Sequence, residues 1–111
     1  MRVHIQVVGL PGAAQLRRFA TQKLDVALSC FADRIEGASV RLLDINGADR
    51  GGVDKLCRIA LTLKGHSAVV IEELGSNIQR SIERAAERLR QRVSRQLSRV
   101  VKGDGRSPLP A

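Results

Sequence analysis

Apolar residues recur along this chain with two different periods. Residues 2–8 alternate between polar and apolar side chains, which predicts a half-buried strand that the Gly9-Leu10-Pro11-Gly12 turn ends. Residues 13–31 then place apolar side chains three and four positions apart, which predicts a helix. This helical stripe consists of Leu16, Phe19, Ala20, Leu24, Ala27, Leu28 and Phe31.

Three more strands are predicted in the middle of the chain, at residues 38–45, 56–64 and 67–73. In the second of these, apolar and polar side chains alternate, and the apolar side carries Cys57, Ile59, Leu61 and Leu63. Residues 46–52 contain an Asn-Gly and a Gly-Gly dipeptide, which predicts a mobile hairpin connection. That segment lacks the pattern of a nucleotide-binding loop.

The last long segment, residues 76–102, predicts a helix of roughly 40 Å. Ser76 and Gln79 have the spacing of a capping box at its start, and Gly103 is expected to end it. Its apolar stripe contains Ile78, Ile82, Ala85, Ala86, Leu89, Val93, Leu97 and Val100.

The predicted order β-α-β-β-β-α indicates an α+β fold in which both helices cover one face of a four-stranded sheet. Polar side chains are then expected on the other face, namely Arg2, His4, Gln6, Arg58, Thr62 and Lys64. The sequence predicts one domain, residues 1–102, followed by a flexible tail, residues 103–111.

The formal net charge of the chain is +8, and the last helix carries most of it. Residues 76–102 hold eight basic and two acidic side chains. A rotation of about 100° per residue places one arc of bases beside the apolar stripe: Arg80, Arg84, Arg88, Arg92, Arg95, Arg99 and Lys102. Glu83 and Glu87 fall on the opposite flank with Arg90. The alternative is a solvated face of i,i+4 ion pairs, but two acids cannot neutralise eight bases. The arc therefore predicts a surface that binds a polyanion.

Other features favour a binding protein over an enzyme. Two Phe residues and no Tyr or Trp argue against stacking of single-stranded bases, so RNA would be bound through its backbone and shape. His4 and His66 lie in no catalytic or metal-binding pattern, and no cofactor, metal or small-molecule substrate is expected. Cys30 and Cys57 are expected to be buried, reduced thiols. No signal peptide or membrane-spanning run is present, which favours a cytoplasmic protein.

Four segments of the chain carry a family resemblance. They are Leu16-Arg17-Arg18-Phe19-Ala20-Thr21-Gln22-Lys23, Asn77-Ile78-Gln79-Arg80-Ser81-Ile82-Glu83, Arg88-Leu89, and Gly52-Val53-Asp54-Lys55-Leu56-Cys57-Arg58-Ile59. Together with the order of elements, they resemble the ribosome hibernation-promoting factor / ribosome-associated inhibitor A family, also called sigma-54 modulation proteins. The resemblance covers roughly residues 1–100 and is to the short form of the family.

This resemblance implies a fold similar to a double-stranded-RNA-binding domain. It also implies binding to rRNA of the small ribosomal subunit, along the channel that mRNA and tRNA occupy, with inhibition of translation. By position, Lys23, Arg88 and Arg92 match basic residues of the family. The helical pattern alone adds Arg18, Arg80, Arg84, Arg95 and Arg99 to the predicted RNA-binding residues.

The sequence is also compatible with two other functions. A general RNA- or DNA-binding module would explain the charge equally well. A protein-interaction module would use the far end of the last helix, where Val93, Leu97, Val100 and Val101 could dock a partner helix. A weak homo-oligomer also remains open.

Overall fold

A computed structural model describes residues 2–45 and 53–105, with side chains of the last helix as far as Ser98. It confirms the predicted order of elements. These are β1 (Arg2–Val8), α1 (Ala13–Leu28), a short 3₁₀ helix (Ser29–Arg34), β2 (Ile35–Asp44), β3 (Lys55–Leu63), β4 (Val69–Gly75) and α2 (Ile78–Gly105). The predicted connection at 46–52 and the end of the predicted tail, 106–111, lie outside the described residues.

The four strands form one mixed sheet in the order β1-β2-β3-β4. β1 and β2 are parallel, and α1 provides the crossover that a parallel pair requires. β3 is antiparallel to both of its neighbours, so β4 runs in the same direction as β1. α1 follows β1, and α2 follows β4. The predicted α+β sandwich with both helices on one face of the sheet is confirmed.

The core lies between the sheet and the helices because each strand sends alternate side chains to that side. The predicted apolar side of β3 is buried in full. The helices contribute Leu16, Ala20, Leu24 and Leu28 from α1, and Ile82, Ala85, Ala86, Leu89 and Val93 from α2. Arg58 and Thr62 are exposed on the opposite face of the sheet, as predicted.

The start of α2 differs from the prediction by one residue. The helix begins at Ile78, and the Oδ1 atom of Asn77 accepts a hydrogen bond from the backbone N–H of Arg80 at 3.1 Å. Asn77 is therefore the N-cap, and the predicted capping box of Ser76 and Gln79 is wrong. Because the helix starts later, Gln79 is its second residue and not its third.

The end of α2 also differs, since the helix continues to Gly105, three residues beyond its predicted end. A glycine costs only about 1 kcal/mol in a helix, which does not compel termination. Seven residues of β4 extend about 23 Å, the length of about 15 helical residues. This length accounts for Val93 being the last fully buried side chain described in α2. No helix in the described part of the chain is long and apolar enough to cross a membrane.

The two cysteines have different environments. Cys57 is buried, and burial raises the pKa of its thiol to about 12. Cys30 is exposed, so the expectation of a buried thiol at this position is wrong. The reason is that α1 ends at Leu28 and the tighter 3₁₀ helix changes the direction of the following side chains.

Truncation of a core side chain should destabilise the protein. We expect Leu89→Ala to lower the free energy of unfolding by about 2–5 kcal/mol, because it leaves a cavity between α2 and the sheet. The matched control is Val26→Ala on the 78% exposed side chain of Val26, with an expected change within about 0.5 kcal/mol. Urea unfolding measures both, and equal effects would contradict the assigned core.

The N-cap can be tested separately. We expect Asn77→Ala to destabilise the protein by about 1 kcal/mol, because the N–H of Arg80 loses its acceptor. Ser76→Ala, one residue before the cap, should have a smaller effect. Thermal unfolding of the two variants compares them, and a larger loss at Ser76 would favour a capping box formed by Ser76 and Gln79.

Candidate nucleic-acid interface

Five predicted RNA-binding residues lie along one side of α2, here called the arginine flank. It consists of Arg80, Arg84, Arg88, Arg92 and Arg95, all exposed. From its first to its last residue it extends about 22 Å at 1.5 Å per residue. Arg99 and Lys102 follow in α2, but their side chains lie outside the described part of the helix.

Glu73 of β4 lies against the middle of this flank. Its side chain shares the helix-facing side of β4 with Val69 and Ile71 and is only 15% exposed. The Nε atom of Arg84 donates to Oε1 of Glu73 at 3.1 Å. Nη1 of Arg88 donates to Oε2 of Glu73 and, at 3.0 Å, to the backbone carbonyl of Glu72. One carboxylate therefore holds two arginines at the edge of the sheet.

These contacts keep Glu73 ionised. The hydrogen bond from Arg88, followed by that from Arg84, holds the pKa of Glu73 below its ordinary value, although partial burial opposes the shift. The side chains of Arg84 and Arg88 are 48% and 52% exposed. A guanidinium has five N–H donors, and only some are used here. The remaining donors can bind an anion from solvent.

Gly75 allows this arrangement at the end of β4. A Cβ atom at this position would lie 2.6 Å from Nη2 of Arg84 and 3.1 Å from Oγ of Ser81. Any side chain here would therefore displace Arg84 from its position. The backbone of Gly75 and the carboxylate of Glu73 together fix the location of this guanidinium.

The predicted residues of α1 lie on a different part of the surface. Nζ of Lys23 lies 3.7 Å from Oε2 of Glu83 and 5.4 Å from the centre of the Phe19 ring. Arg90 pairs with Glu87 at 2.6 Å nearby. The two ion pairs, Lys23–Glu83 and Arg90–Glu87, line a groove of about 420 Å³ between the helices, so acids separate Lys23 from the arginine flank. Arg18 is exposed on α1.

Four predicted residues have no ion pair within the described part of the chain. They are Arg18, Arg80, Arg92 and Arg95, all exposed. Exposed, unpaired guanidinium groups are available for phosphate contacts. The structure thus divides the predicted set into a continuous flank on α2 and two separate bases on α1.

Part of the alternative docking surface predicted at the end of α2 is not available to a partner. Val93 is fully buried in the core, and Leu97 is half-buried against it. Val100 and Val101 belong to the part of the helix whose side chains are not described. The prediction that Val93 docks a partner helix is wrong, because this side chain is already buried in the core.

The sequence reasoning missed two polar clusters. The first is Glu73 with Arg84 and Arg88. The alternation of β4 could have identified it, since a carboxylate on the side that faces α2 requires a basic partner. The second lies at the base of the β2–β3 connection, where Nζ of Lys55 is 2.7 Å from Oδ1 of Asp54 and 3.1 Å from Oδ2 of Asp44. The hydrogen bond to Asp54, followed by that to Asp44, raises the pKa of Lys55.

This second cluster also connects the sheet to α2. The hydroxyl of the buried Ser81 donates to the backbone carbonyl of Lys55 at 3.2 Å. The contact fixes the first turns of α2, and hence the start of the arginine flank, against β3. Among the residues described, no group of three or more His, Cys, Asp or Glu side chains could hold a metal ion.

Acid should release the Glu73 contacts. The folded pKa of Glu73 lies below its unfolded value of about 4.3. Its stabilising contribution is therefore fully present above about pH 4.3 and decreases as the pH falls through the folded pKa. We expect Glu73→Gln to be less stable than the wild type at pH 7, with a difference that shrinks below about pH 4. Urea unfolding across this range measures the effect.

The matched control is Glu72→Gln, on the neighbouring residue that faces away from α2. The carboxylate of Glu72 is 53% exposed and lies 3.5 Å from Arg58, so its removal should change stability little at any pH. A stability difference for Glu73→Gln that is independent of pH would argue against an ionised carboxylate as its cause.

Comparison with known proteins identifies the fold. No protein-family model and no curated protein matches the sequence. A ribosomal subunit interface protein from Coxiella burnetii superposes with a TM-score of 0.73 at 15% identity, over 88% of this chain and 99% of its own. The N-terminal domain of Protein Y from Thermus thermophilus superposes with a TM-score of 0.67 at 23% identity, over 86% of this chain and 98% of its own. The chain shares the fold of these two proteins.

Proposed function

We propose that this protein binds the small ribosomal subunit in the cytoplasm and inhibits translation as a hibernation factor. The observation that carries the proposal is the arginine flank, which presents five exposed arginines along one helix. The likeness to a protein named for the ribosomal subunit interface supports the ribosome as the partner. The family resemblance of the sequence supports the same partner.

The arginine flank suits the phosphate backbone of folded rRNA. Guanidinium groups bind phosphate oxygens through paired N–H donors, and such contacts position a protein without reading bases. Both phenylalanines, Phe19 and Phe31, are half-buried against the core, so neither offers an open platform for stacked bases. Recognition would then depend on the shape of the rRNA and on its phosphates.

Glu73 contributes to this function by fixing two of the arginines before binding. Arg84 and Arg88 are already held in place, so contact with RNA would immobilise them at a smaller entropic cost. Arg80, Arg92 and Arg95 carry the uncompensated charge of the flank. Arg18 and Lys23, beyond the acidic groove, would contact a second segment of rRNA.

The direct test is co-sedimentation of purified protein with ribosomes and isolated subunits across a salt series. We expect the protein to pellet with the small subunit at physiological salt and to dissociate steeply as salt rises, because released counterions drive phosphate binding. Folded protein that pellets with neither subunit at any salt would overturn the proposal. Equal competition by bulk duplex RNA would favour a general nucleic-acid-binding module.

The arginine flank can be tested with matched variants. The substitution set Arg84→Gln, Arg88→Gln and Arg92→Gln should weaken ribosome binding and reduce the salt slope by roughly 0.7–0.9 for each phosphate that is no longer neutralised. The control set is Arg2→Gln, Arg41→Gln and Arg58→Gln, which removes the same charge from the exposed face of the sheet. Equal losses of affinity in both sets would show that total charge, and not the arginine flank, governs binding.

A further inference from the structure

A second surface lies at the edge of the sheet opposite the arginine flank. It consists of the open edge of β1 and the side of α1 that carries Arg17, Thr21 and Asp25, and it is here called the β1 surface. We infer that two copies of this chain associate through it. Their β1 strands would pair antiparallel about a two-fold axis and join the sheets into one of eight strands.

The two edges of the sheet are protected differently. At β4, Arg88 donates to the backbone carbonyl of Glu72, and the helix-facing side chains of Val69 and Ile71 are 2% exposed. At β1, the equivalent side chains are only half-buried: Val3, Ile5 and Val7. β1 contains no proline, and its register with β2 shows no bulge. A long edge strand without such protection is suited to pair with another strand.

The sequence of β1 is complementary to itself when the two copies run antiparallel. With Ile5 on the two-fold axis, it lies opposite Ile5 of the second copy, and Val3 lies opposite Val7. On the other face of the sheet, Arg2 lies opposite Val8, and His4 lies opposite Gln6. Apolar residues therefore meet on the side that faces the helices, and no two formally charged residues face each other.

The side of α1 that belongs to the β1 surface shows the same complementarity. Arg17, Thr21 and Asp25 are four residues apart, on the side of the helix away from the Lys23–Glu83 contact. Arg17 and Asp25 are exposed, and neither has an ion-pair partner within the described chain. A two-fold axis at Thr21 would place Arg17 of each copy opposite Asp25 of the other.

One axis can serve both elements. β1 extends about 23 Å and α1 about 24 Å, and the two elements meet at the same end of the sheet, at the turn between them. Their midpoints, Ile5 and approximately Thr21, therefore lie at the same height. α1 contacts β1 and packs beside α2, which lies over β3 and β4, so α1 lies above the β1–β2 half of the sheet. Strands are spaced about 4.8 Å apart, so the α1 helices of the two copies would lie about 10 Å apart. This is an ordinary distance between packed helices.

The pairing leaves the proposed function undisturbed. β4 and the arginine flank would lie at the two outer ends of the joined sheet, as far from the axis as the fold permits. The net charge of +8 on each copy opposes association, so the dimer should be weak and should depend on protein concentration. The inference is independent of whether the arginine flank binds rRNA.

The charge contacts provide the main test, by sedimentation velocity of the nucleic-acid-free full chain over a concentration series. We expect a reversible monomer–dimer equilibrium for the wild type. Arg17→Asp and Asp25→Arg, each alone, place like charges opposite each other and should raise the dissociation constant at least tenfold. The doubly substituted chain, and an equimolar mixture of the two single variants, should recover dimerisation because opposite charges face each other again.

A cross-link tests the position of the axis. Thr21→Cys in a Cys30→Ser background should form a disulfide-linked dimer under mild oxidation. Gln22→Cys in the same background is the control, because Gln22 is exposed on a different side of α1. A wild-type protein that stays monomeric at all concentrations would overturn the inference. So would single charge variants that associate as strongly as the wild type, or equal cross-linking at both cysteine positions.

Discussion

One-sided burial of the sheet is the constraint on which the rest of this structure depends. In the described chain, α1 and α2 cover one face of the four strands, so that face of every strand must be apolar. The same constraint directs the apolar stripe of α2 into the core and leaves its bases on the flanks. The arginine flank is located above β4 because α2 follows β4 directly and packs over it.

A row of like charges on a helix is unfavourable by itself, and the fold compensates part of that cost. Glu73 reaches Arg84 and Arg88 because the alternation that buries Val69 and Ile71 also turns this carboxylate towards α2. The other arginines of the flank have no such partner in the described chain. The uncompensated charge is therefore concentrated on both sides of an ordered central pair, which suits a long anionic ligand more than a single small anion.

Periodicity was sufficient to predict the four strands, the two long helices, their order, and the buried side of β1, β3 and both helices, because burial repeats every two residues in a strand and every three or four in a helix. Periodicity did not determine where α2 begins or where α1 ends. Asn77 and Ser76 are both residue types that cap helices well, and the structure uses Asn77, which accepts the hydrogen bond from the N–H of Arg80. Likewise, the exposure of Cys30 depends on where α1 changes to a 3₁₀ helix.

The site was less predictable than the fold. A helical projection grouped the arginines correctly, yet it contained no information about the strand beneath them or about the acids of the interhelical groove. Glu73 and Arg84 are 11 residues apart in the chain, and their contact depends on how β4 and α2 pack. The division between Lys23 and the arginine flank is likewise a product of tertiary structure.

The contrast between the two cysteines has a practical consequence for spectroscopy. Thiol-specific dyes react with the thiolate, and the high pKa and complete burial of Cys57 leave almost none of it accessible at neutral pH. Cys30 is exposed, just beyond the end of α1. A maleimide dye should therefore attach at this one native position, and fluorescence energy transfer could then locate the protein on a labelled particle without an engineered cysteine.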